Sequence, residues 1–301
     1  MTAATIPVDL TNPGQVFACL GFMEAAEILC GPCKGRFGYE VSETRTTFTL
    51  DGPGDPAATV VDFLTRAEAK ALAPQGSQLS TAKWGVETIA FPDAADGDAL
   101  GAEFPCPVPE SPAALPVVLT DGTNQIPVGH WADDPGTTGR DNVKFWAGAA
   151  GYPGGALARD ALAMVQGFDG NALAAAATDP FSVSGPQSSS FRFDWRRDYI
   201  PLDAGFSPNL QSSVRMIGYP LVELLAAIGL EHARPDRPDR RNKLTYRYGV
   251  SSAVLPTVLA RSVLGIQGLG FPVRTFRIRL GWPGQEGQAR CIIDAQEEFA
   301  P

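Results

Sequence analysis

The most regular apolar pattern in the chain lies at residues 12–30. Apolar residues surround most of this segment, which is typical of a helix buried inside a domain. Asn12 suits the N-cap, Pro13 suits the first helical position, and Gln15 can close a capping box. Small residues form a strip along one side, at Ala18, Gly21 and Ala25. We expect a second backbone to approach the helix along that strip.

Alternating apolar and polar residues around this helix predict short strands at 5–11, 36–43, 46–51 and 84–91. A second helix is predicted after Asp55, because apolar residues repeat at helical spacing as far as Ala71. The order strand, helix, strand, strand, helix, strand predicts an α+β fold with a ferredoxin-like core. RNA-recognition modules also use this arrangement.

Regular patterning weakens between residues 93 and 190, where Gly, Pro, Asp and Ser are frequent. Only a hairpin at 117–120 and 126–129 and a helix at 156–168 are predicted there. A connection with so little regular structure is usually functional in a compact domain. We therefore interpret this region as an insertion or a long-looped middle section.

Regular patterning returns after Ser190. Strands are predicted at 191–200, 244–250 and 273–280, and helices at 219–230 and 252–264. These elements form either a second ferredoxin-like half or strands that complete the first sheet, and the pattern leaves both open. The predicted organisation is an N-terminal ferredoxin-like unit at 1–102, a loop-rich middle section at 103–190 and a basic C-terminal α+β unit at 191–301.

Composition and charge describe a folded chain with an uneven charge distribution. Of its 301 residues 44% are apolar and 19% charged, so the chain can bury a large core and is not of the disordered type. The net charge is −9, but residues 1–190 hold 9 Lys and Arg against 22 Asp and Glu, whereas residues 191–301 hold 15 against 11. This asymmetry predicts an acidic, partner-facing or solvating half and a half that meets an anionic ligand. Two ordinary surfaces are the alternative.

Targeting signals and cysteine usage favour a soluble, cytoplasmic protein without a membrane partner. The first residues lack the basic region of a signal peptide, and no uncharged apolar run reaches the roughly 18 residues of a spanning helix. The five cysteines are an odd number, which fits a reducing compartment better than a disulfide framework.

Several phrases of the sequence resemble one protein family. They are VDLTNPGQVFACLGFMEAAEIL, KFWAGAAGYPGGALARDAL, FRFDWRRDYIPLDAGFSPNLQ and YPLVELLAAIGLEHARP. Together they resemble an accessory protein of type I-U (I-G) CRISPR systems, a RAMP-like or small large-subunit-like component of the crRNA-guided Cascade effector. The phrases occur in order over much of the chain.

The resemblance implies a ferredoxin-like core and a role in antiviral defence. It also implies assembly with other type I-U Cas subunits and contact with crRNA or target DNA in a ribonucleoprotein. Because the sequence contains no recognisable catalytic motif or paired metal-ligand spacing, we predict a non-enzymatic subunit without cofactor or metal. The glycine-rich turn GIQGLG, with Gly268 and Gly270, is similar to the loop that RAMP proteins place beside RNA, although its spacing departs from the stricter RAMP pattern.

Arginines of the last predicted strand are the leading candidates for nucleic-acid contact. Period-two alternation places Phe276 and Ile278 on one face and Arg277 and Arg279 on the other, where they suit a phosphate backbone. A proline-spaced segment adds Arg234, Arg237, Arg240, Arg241 and Lys243. Nearby aspartates partly neutralise that segment, so a solvated loop is the alternative.

A further basic group lies in the segment 191–200, where aromatic and charged residues alternate. Its candidate nucleic-acid contacts are Arg192, Arg196 and Arg197. Its aromatic residues are Phe191, Phe193 and Trp195. They either fill the core or stack on bases, and the core is the preferred interpretation.

Other motifs allow different functions. Cys30 and Cys33 frame a thioredoxin-like CGPC tetrapeptide, but Cys30 ends a helix, where the dipole disfavours a thiolate. His130 precedes two aspartates, Asp133 and Asp134, a set suited to acid–base work or a divalent cation, although loops rich in Asp often contain such clusters. A RAMP-type endoribonuclease and, less favoured, a thiol-redox protein are therefore the alternatives to a binding subunit.

One motif bears directly on RNA binding. The residues KGRFGYEV at 34–41 are similar to the aromatic RNA-stacking motif of RNA-recognition domains, with one residue out of register. The motif also falls on the predicted second strand rather than the third. A plain hairpin strand is therefore the preferred interpretation.

Overall fold

The computed structural model describes residues 2–39, 46–91, 104–132, 152–187, 189–196, 216–239, 241–281 and 290–299. These residues form a mixed α+β structure with several small sheets, so the predicted α+β class is confirmed. In chain order the elements are β1 (Thr2–Pro7), α1 (Pro13–Cys30), β2 (Lys34–Gly38), β3 (Thr47–Gly52), α2 (Pro56–Arg66), β4 (Glu68–Ala73), β5 (Glu87–Ala90), β6 (Val117–Thr120), β7 (Gln125–Val128), α3 (Gly154–Gln166), α4 (Gly170–Thr178), β8 (Gly185–Gln187), β9 (Met216–Gly218), α5 (Pro220–Gly229), β10 (Thr245–Val250), β11 (Leu255–Pro256), α6 (Thr257–Leu264), β12 (Arg274–Gly281) and β13 (Cys291–Glu298).

The first sheet has the strand order β1-β3-β2-β11, and all its pairs are antiparallel. The order β1-β3-β2 with α1 as the crossover is that of the first half of a ferredoxin-like unit. The strand after α2, β4, lies in a second sheet of order β5-β4-β6-β7, where it pairs parallel with β5 and antiparallel with β6. A third sheet has the order β10-β12-β13, and β8 pairs with β9.

Four predicted elements differ from the structure, two of them because long-range pairing overrides local patterning. The strand predicted at 5–11 is observed as β1, at Thr2–Pro7. Helix α2 ends at Arg66, and Ala67 turns the chain into the extended backbone of β4. Helix α6 begins at Thr257 because the residues before it pair with β2 as β11. The strand predicted at 191–200 is absent from its described part, 191–196, where Arg192 has a φ of 67° that interrupts an extended chain. Helix α4 and strand β13 were not predicted.

Helix α1 is the centre of the core, as the sequence predicts, and α5 crosses it at very short range. A Cβ on Gly21 would overlap the carbonyl oxygen of Leu225, and a Cβ on Gly229 would overlap that of Phe17. Every residue of α5 is buried. The expected approach of a second backbone to the small-residue strip is confirmed, and α5 supplies that backbone.

One hydrophobic core contains residues from all three segments of the predicted organisation. It runs from Ile6 in β1 through Val117 in β6 to Ile292 in β13. Strand β6 of the middle segment pairs with β4 of the first, and β11 of the last segment pairs with β2. The elements that position the candidate site therefore belong to a shared core. Among the described helices, none has both the length and the apolar character needed to cross a membrane.

The close crossing of α1 and α5 predicts a large effect of a single methyl group. We expect Gly21→Ala to lower the free energy of unfolding by about 2 kcal/mol, because the overlap with Leu225 outweighs the better helix propensity of alanine. Gly170→Ala, at the start of α4 where a Cβ meets no atom within 4 Å, is the matched control and should be nearly neutral. Urea unfolding measures both, and equal stabilities would contradict the prediction.

Candidate nucleic-acid interface

Strand β12 has the predicted two-faced pattern. Phe276, Ile278 and Leu280 are buried, whereas Arg277 and Arg279 are exposed on the outer face of the sheet. The inner face packs on the core, where Phe276 stacks on Tyr248. The alternation is therefore confirmed.

The arginines of the outer face are paired with carboxylates. Arg277 Nε lies 3.3 Å from Glu298 Oε1, and Arg279 Nε donates to Asp294 over 2.9 Å. The register of β12 and β13 places Arg279 directly opposite Asp294. At the other edge Arg247 is paired with Asp236 at 2.6 Å. The face thus alternates in charge, and a phosphate group would have to displace a carboxylate to reach these guanidinium groups.

The ion pairs of this sheet shift the acidity of the carboxylates. The hydrogen bond from Arg279 holds the pKa of Asp294 below its ordinary value, and that from Arg274 does the same for the pKa of Glu297. Arg274 also stacks over Tyr39, 4.6 Å from the ring centroid, which connects this sheet to the end of β2. The carboxylates are therefore ionised at neutral pH and stay competitors for any anion.

A buried polar cluster holds Arg196. Its guanidinium pairs with Asp194 at 2.6 Å, donates to the Phe181 carbonyl at 2.8 Å and lies over the Tyr219 ring. The Asp194 side chain is only 1% exposed and accepts a further hydrogen bond, at 2.9 Å, from the Asn12 amide. Arg196 therefore belongs to an internal ion pair with Asp194. Arg197 lies outside the described residues.

The same cluster fixes the start of α1 and the chain around Phe193. The Asn12 side chain makes no capping bond to α1, and Gln15 instead accepts from the Asp9 N–H at 2.7 Å, so the predicted capping box is wrong. The buried carboxylate of Glu223 accepts the N–H groups of Phe193 and Asp194. Hydrogen bonds therefore connect Phe193 and Asp194 to α5, and Asp194 also to the residue before α1.

Aromatic residues of the segment 191–196 divide between core and surface. Phe191 and Phe193 are fully buried and stack on each other with centroids 5.7 Å apart. Trp195 is 40% exposed. The core interpretation is confirmed for the two phenylalanines, which leaves them no face for a base.

The basic segment after α5 separates into a structural part and an exposed part. Arg234 donates to the carbonyls of Leu230, Ala233 and His130, so its guanidinium closes the end of α5. Arg237 is half-buried, and Arg240 lies outside the described residues. Arg241 and Lys243 are exposed.

Arg290, which is half-buried, lies beside the exposed part although it comes from another region of the sequence. Its guanidinium donates to the carbonyl of Lys243 at 3.1 Å, just before β13 begins. We call Arg241, Lys243 and Arg290 the basic end of the third sheet. Sequence patterning missed Arg290 because it precedes β13, a strand that was not predicted. The only feature of the sequence that could have indicated it is an arginine directly before the apolar first residues of that strand. The loop with Gly268 and Gly270 is open, since a Cβ at either residue meets no atom within 4 Å.

Two of the groups that suggested enzymatic chemistry, Cys33 and His130, are buried, whereas Cys30 is half-buried. Burial raises the pKa of the Cys33 thiol to about 11, which keeps it protonated and is the opposite of what a redox cysteine needs. His130 is 1% exposed, with its ring 5.0 Å from Trp131 and 5.3 Å from Phe193. Asp133 and Asp134 are outside the described residues. No group of three or more His, Cys, Asp or Glu suited to a metal occurs within the described ranges.

Strand β2 uses its aromatic residue for packing. Phe37 lies 5.1 Å from Phe48 between ring centroids, on the side of the sheet that α1 covers. Lys34 and Arg36 are exposed on the opposite face. The plain strand interpretation of KGRFGYEV therefore agrees with the position of its described part.

No family model, curated protein or solved structure matches the chain. Hydrogen bonds join distant segments of the chain in the buried polar cluster, because the Asn12 amide donates to Asp194 and Glu223 accepts from the N–H groups of Phe193 and Asp194.

The buried ion pair predicts a large loss of stability on truncation. Asp194→Ala should lower the free energy of unfolding by about 3 kcal/mol, because it leaves Arg196 and the Asn12 amide without their shared acceptor. Asp239→Ala, an exposed aspartate whose side chain accepts the Arg241 N–H, is the control and should cost less than about 1 kcal/mol. Urea unfolding compares them. A small loss for Asp194→Ala would show that the cluster contributes little.

The carboxylates of β13 predict how the free energy of unfolding changes as the pH falls. Because the folded-state pKa values of Asp294 and Glu297 are lowered from 3.8 and 4.5, both groups add stability above these values and lose it as pH falls through the lowered ones. The double variant Asp294→Asn, Glu297→Gln should therefore show a shallower loss of unfolding free energy on acidification below pH 4.5. Parallel urea-unfolding curves for variant and parent over that range would contradict the assignment.

Proposed function

We propose that this chain is a non-catalytic subunit of a type I-U CRISPR effector complex, with a ferredoxin-like core. In that complex it joins other Cas subunits and contributes to holding crRNA or recognising target DNA in antiviral defence. The proposal rests on the resemblance of the four sequence phrases, and the geometry of the fold supports it.

The observation that carries the proposal is the meeting of those phrases in one place. Asn12 and Asp194 are 182 residues apart in sequence and hydrogen-bonded in the core. Glu223 of α5 bonds the same segment, and α3, which contains part of the second phrase, packs on α5. This meeting in the core supports treating the phrases as parts of one fold.

A binding role is also favoured by how the chain uses its reactive groups. His130 and Cys33 are both buried, and the Cys33 thiol has a raised pKa. Both residues serve packing, which favours a scaffold over the endoribonuclease and the thiol-redox alternatives. The order β1-β3-β2 supports a ferredoxin-like core, although β4 pairs in another sheet.

We place nucleic-acid contact at the basic end of the third sheet rather than on its outer face. Arg277 and Arg279 each have a carboxylate partner, which a phosphate would have to displace. Arg241 and Arg290 have no carboxylate partner among the described residues. Lys243 is exposed beside them.

Co-purification tests the proposed function. The tagged chain, co-expressed with the other type I-U effector proteins and a repeat array, should purify with those proteins and a bound RNA. Purification alone from the same cells would contradict the proposal. Incubation of the chain with repeat RNA in the presence of EDTA separates the alternative, since cleavage would favour the endoribonuclease.

The basic end predicts a specific salt dependence. The triple variant Arg241→Ala, Lys243→Ala, Arg290→Ala should bind single-stranded RNA more weakly, with the slope of log K against log salt reduced by about 2, because up to three phosphate contacts at about 0.7 each are lost. Arg277→Ala, Arg279→Ala is the matched control and should keep the parental slope. The reverse result, a change only in the control, would move the contact to the outer face.

A further inference from the structure

Strand β1 is an unpaired edge of the first sheet within the described residues. It pairs with β3 on one side in an unbroken antiparallel register from Thr2 to Pro7. In a complete ferredoxin-like sheet the strand after α2 would lie on its other side, but β4 pairs with β5 and β6 instead. The edge of β1 therefore offers free backbone groups to another strand.

The other described sheet edges carry features that discourage pairing. Strand β13 has a bulge opposite Arg279 and Leu280 and three carboxylates. Strand β7 contains Pro127, and β5 begins with Glu87. Strand β11 has only two residues, one of them proline. By contrast, β1 has six residues without a charge or a bulge, and its only proline is the last residue. Strand β10 carries Arg247, whose backbone is bridged to Asp236, and β8 and β9 have three residues each. Among the edges of the described residues, β1 is therefore the longest without a charge, a bulge or an internal proline.

The hydrogen-bond pattern shows which groups of β1 point outward. The Val8 N–H bonds the Thr46 carbonyl at 3.1 Å, and Val8 stands opposite Thr46 when the register of β1 and β3 is continued. Since hydrogen-bonded and non-hydrogen-bonded pairs alternate in an antiparallel ladder, Ile6 and Ala4 also point their backbone groups at β3. Ala3 and Thr5 therefore point their N–H and C=O groups away from the sheet.

We propose that β1 pairs antiparallel with β1 of a second copy of this chain, about a two-fold axis at Ala4. In this register Ala3 stands opposite Thr5 of the other copy, and each such pair exchanges both N–H···O=C bonds. Ala4 faces its own equivalent as the non-hydrogen-bonded pair between them. Pro7, which lacks an N–H, lies beyond this ladder.

A second copy fits this edge for reasons of charge and register. Opposite residues share a face, so exposed Ala3 meets exposed Thr5, and no charged side chain of β1 faces another. Odd residues, which carry the outward backbone groups, meet odd residues, as self-pairing requires. The net charge of −9 repels the two copies at long range, so the pairing should strengthen as salt screens that repulsion. This inference does not depend on the proposed CRISPR role.

A cysteine at the axis tests the register. Ala4→Cys should form an intermolecular disulfide under mild oxidation, because Cα atoms of a non-hydrogen-bonded pair lie about 4.5 Å apart, within the range of a disulfide. Ala90→Cys, an exposed alanine on the β5 edge, and the parent with its five cysteines are the controls. A dimer on a non-reducing gel that is specific to Ala4→Cys supports the pairing. Equal cross-linking of all three proteins would overturn it.

Sedimentation equilibrium tests the association without oxidation. The parent chain should be a dimer at micromolar concentration, and Thr5→Lys should raise the dissociation constant by at least about tenfold, because the two new charges become diagonal neighbours on the same face of the joined sheet. Thr47→Lys, on the same face one strand inward, should leave it unchanged. A monomeric parent, whether β1 stays free or takes a strand from another protein, overturns the proposal, as does equal weakening by both variants.

Discussion

The contact of α1 with α5 at Gly21 and Gly229 is the constraint on which the other elements depend. At this crossing the two helices touch backbone to backbone, and neither position has room for a Cβ. Once α5 lies this close, Glu223 can reach the N–H groups of Phe193 and Asp194, and the end of α5 comes within reach of Gly129 through Glu231. The three segments of the chain are thereby joined through one helix pair.

Several basic residues of the C-terminal half serve this architecture rather than its surface. Arg196 pairs with buried Asp194, and Arg234 closes α5. Arg261 pairs with Glu24 of α1 and so ties α6 to the central helix. A buried or half-buried guanidinium must be paired, because desolvating an unpaired charge costs several kcal/mol. The excess of positive charge after Ser190 is therefore an imperfect guide to where an anion could bind.

The edges and faces of the sheets differ in charge and in the backbone groups that they expose. The outer face of the third sheet neutralises itself with pairs such as Arg279 and Asp294, while its basic end leaves cations exposed. The first sheet has an uncharged edge at β1. We propose a phosphate backbone as the partner of the basic end and a peptide strand as the partner of the β1 edge.

Local patterning determined the elements whose signals are contained within them: the buried helix α1 with its small-residue strip, the hairpin of β6 and β7, helix α5 and the two faces of β12. Only the tertiary structure decided that α2 ends at Arg66 and that the following residues form strand β4. Hydrogen bonds from this segment to β5 and β6 outweigh its weak helical repeat. The tertiary structure also decided which of the candidate arginines are paired with carboxylates. Whether Arg277 faces a phosphate or Glu298 depends on a strand that follows it in the chain, and no periodicity within β12 contains that information.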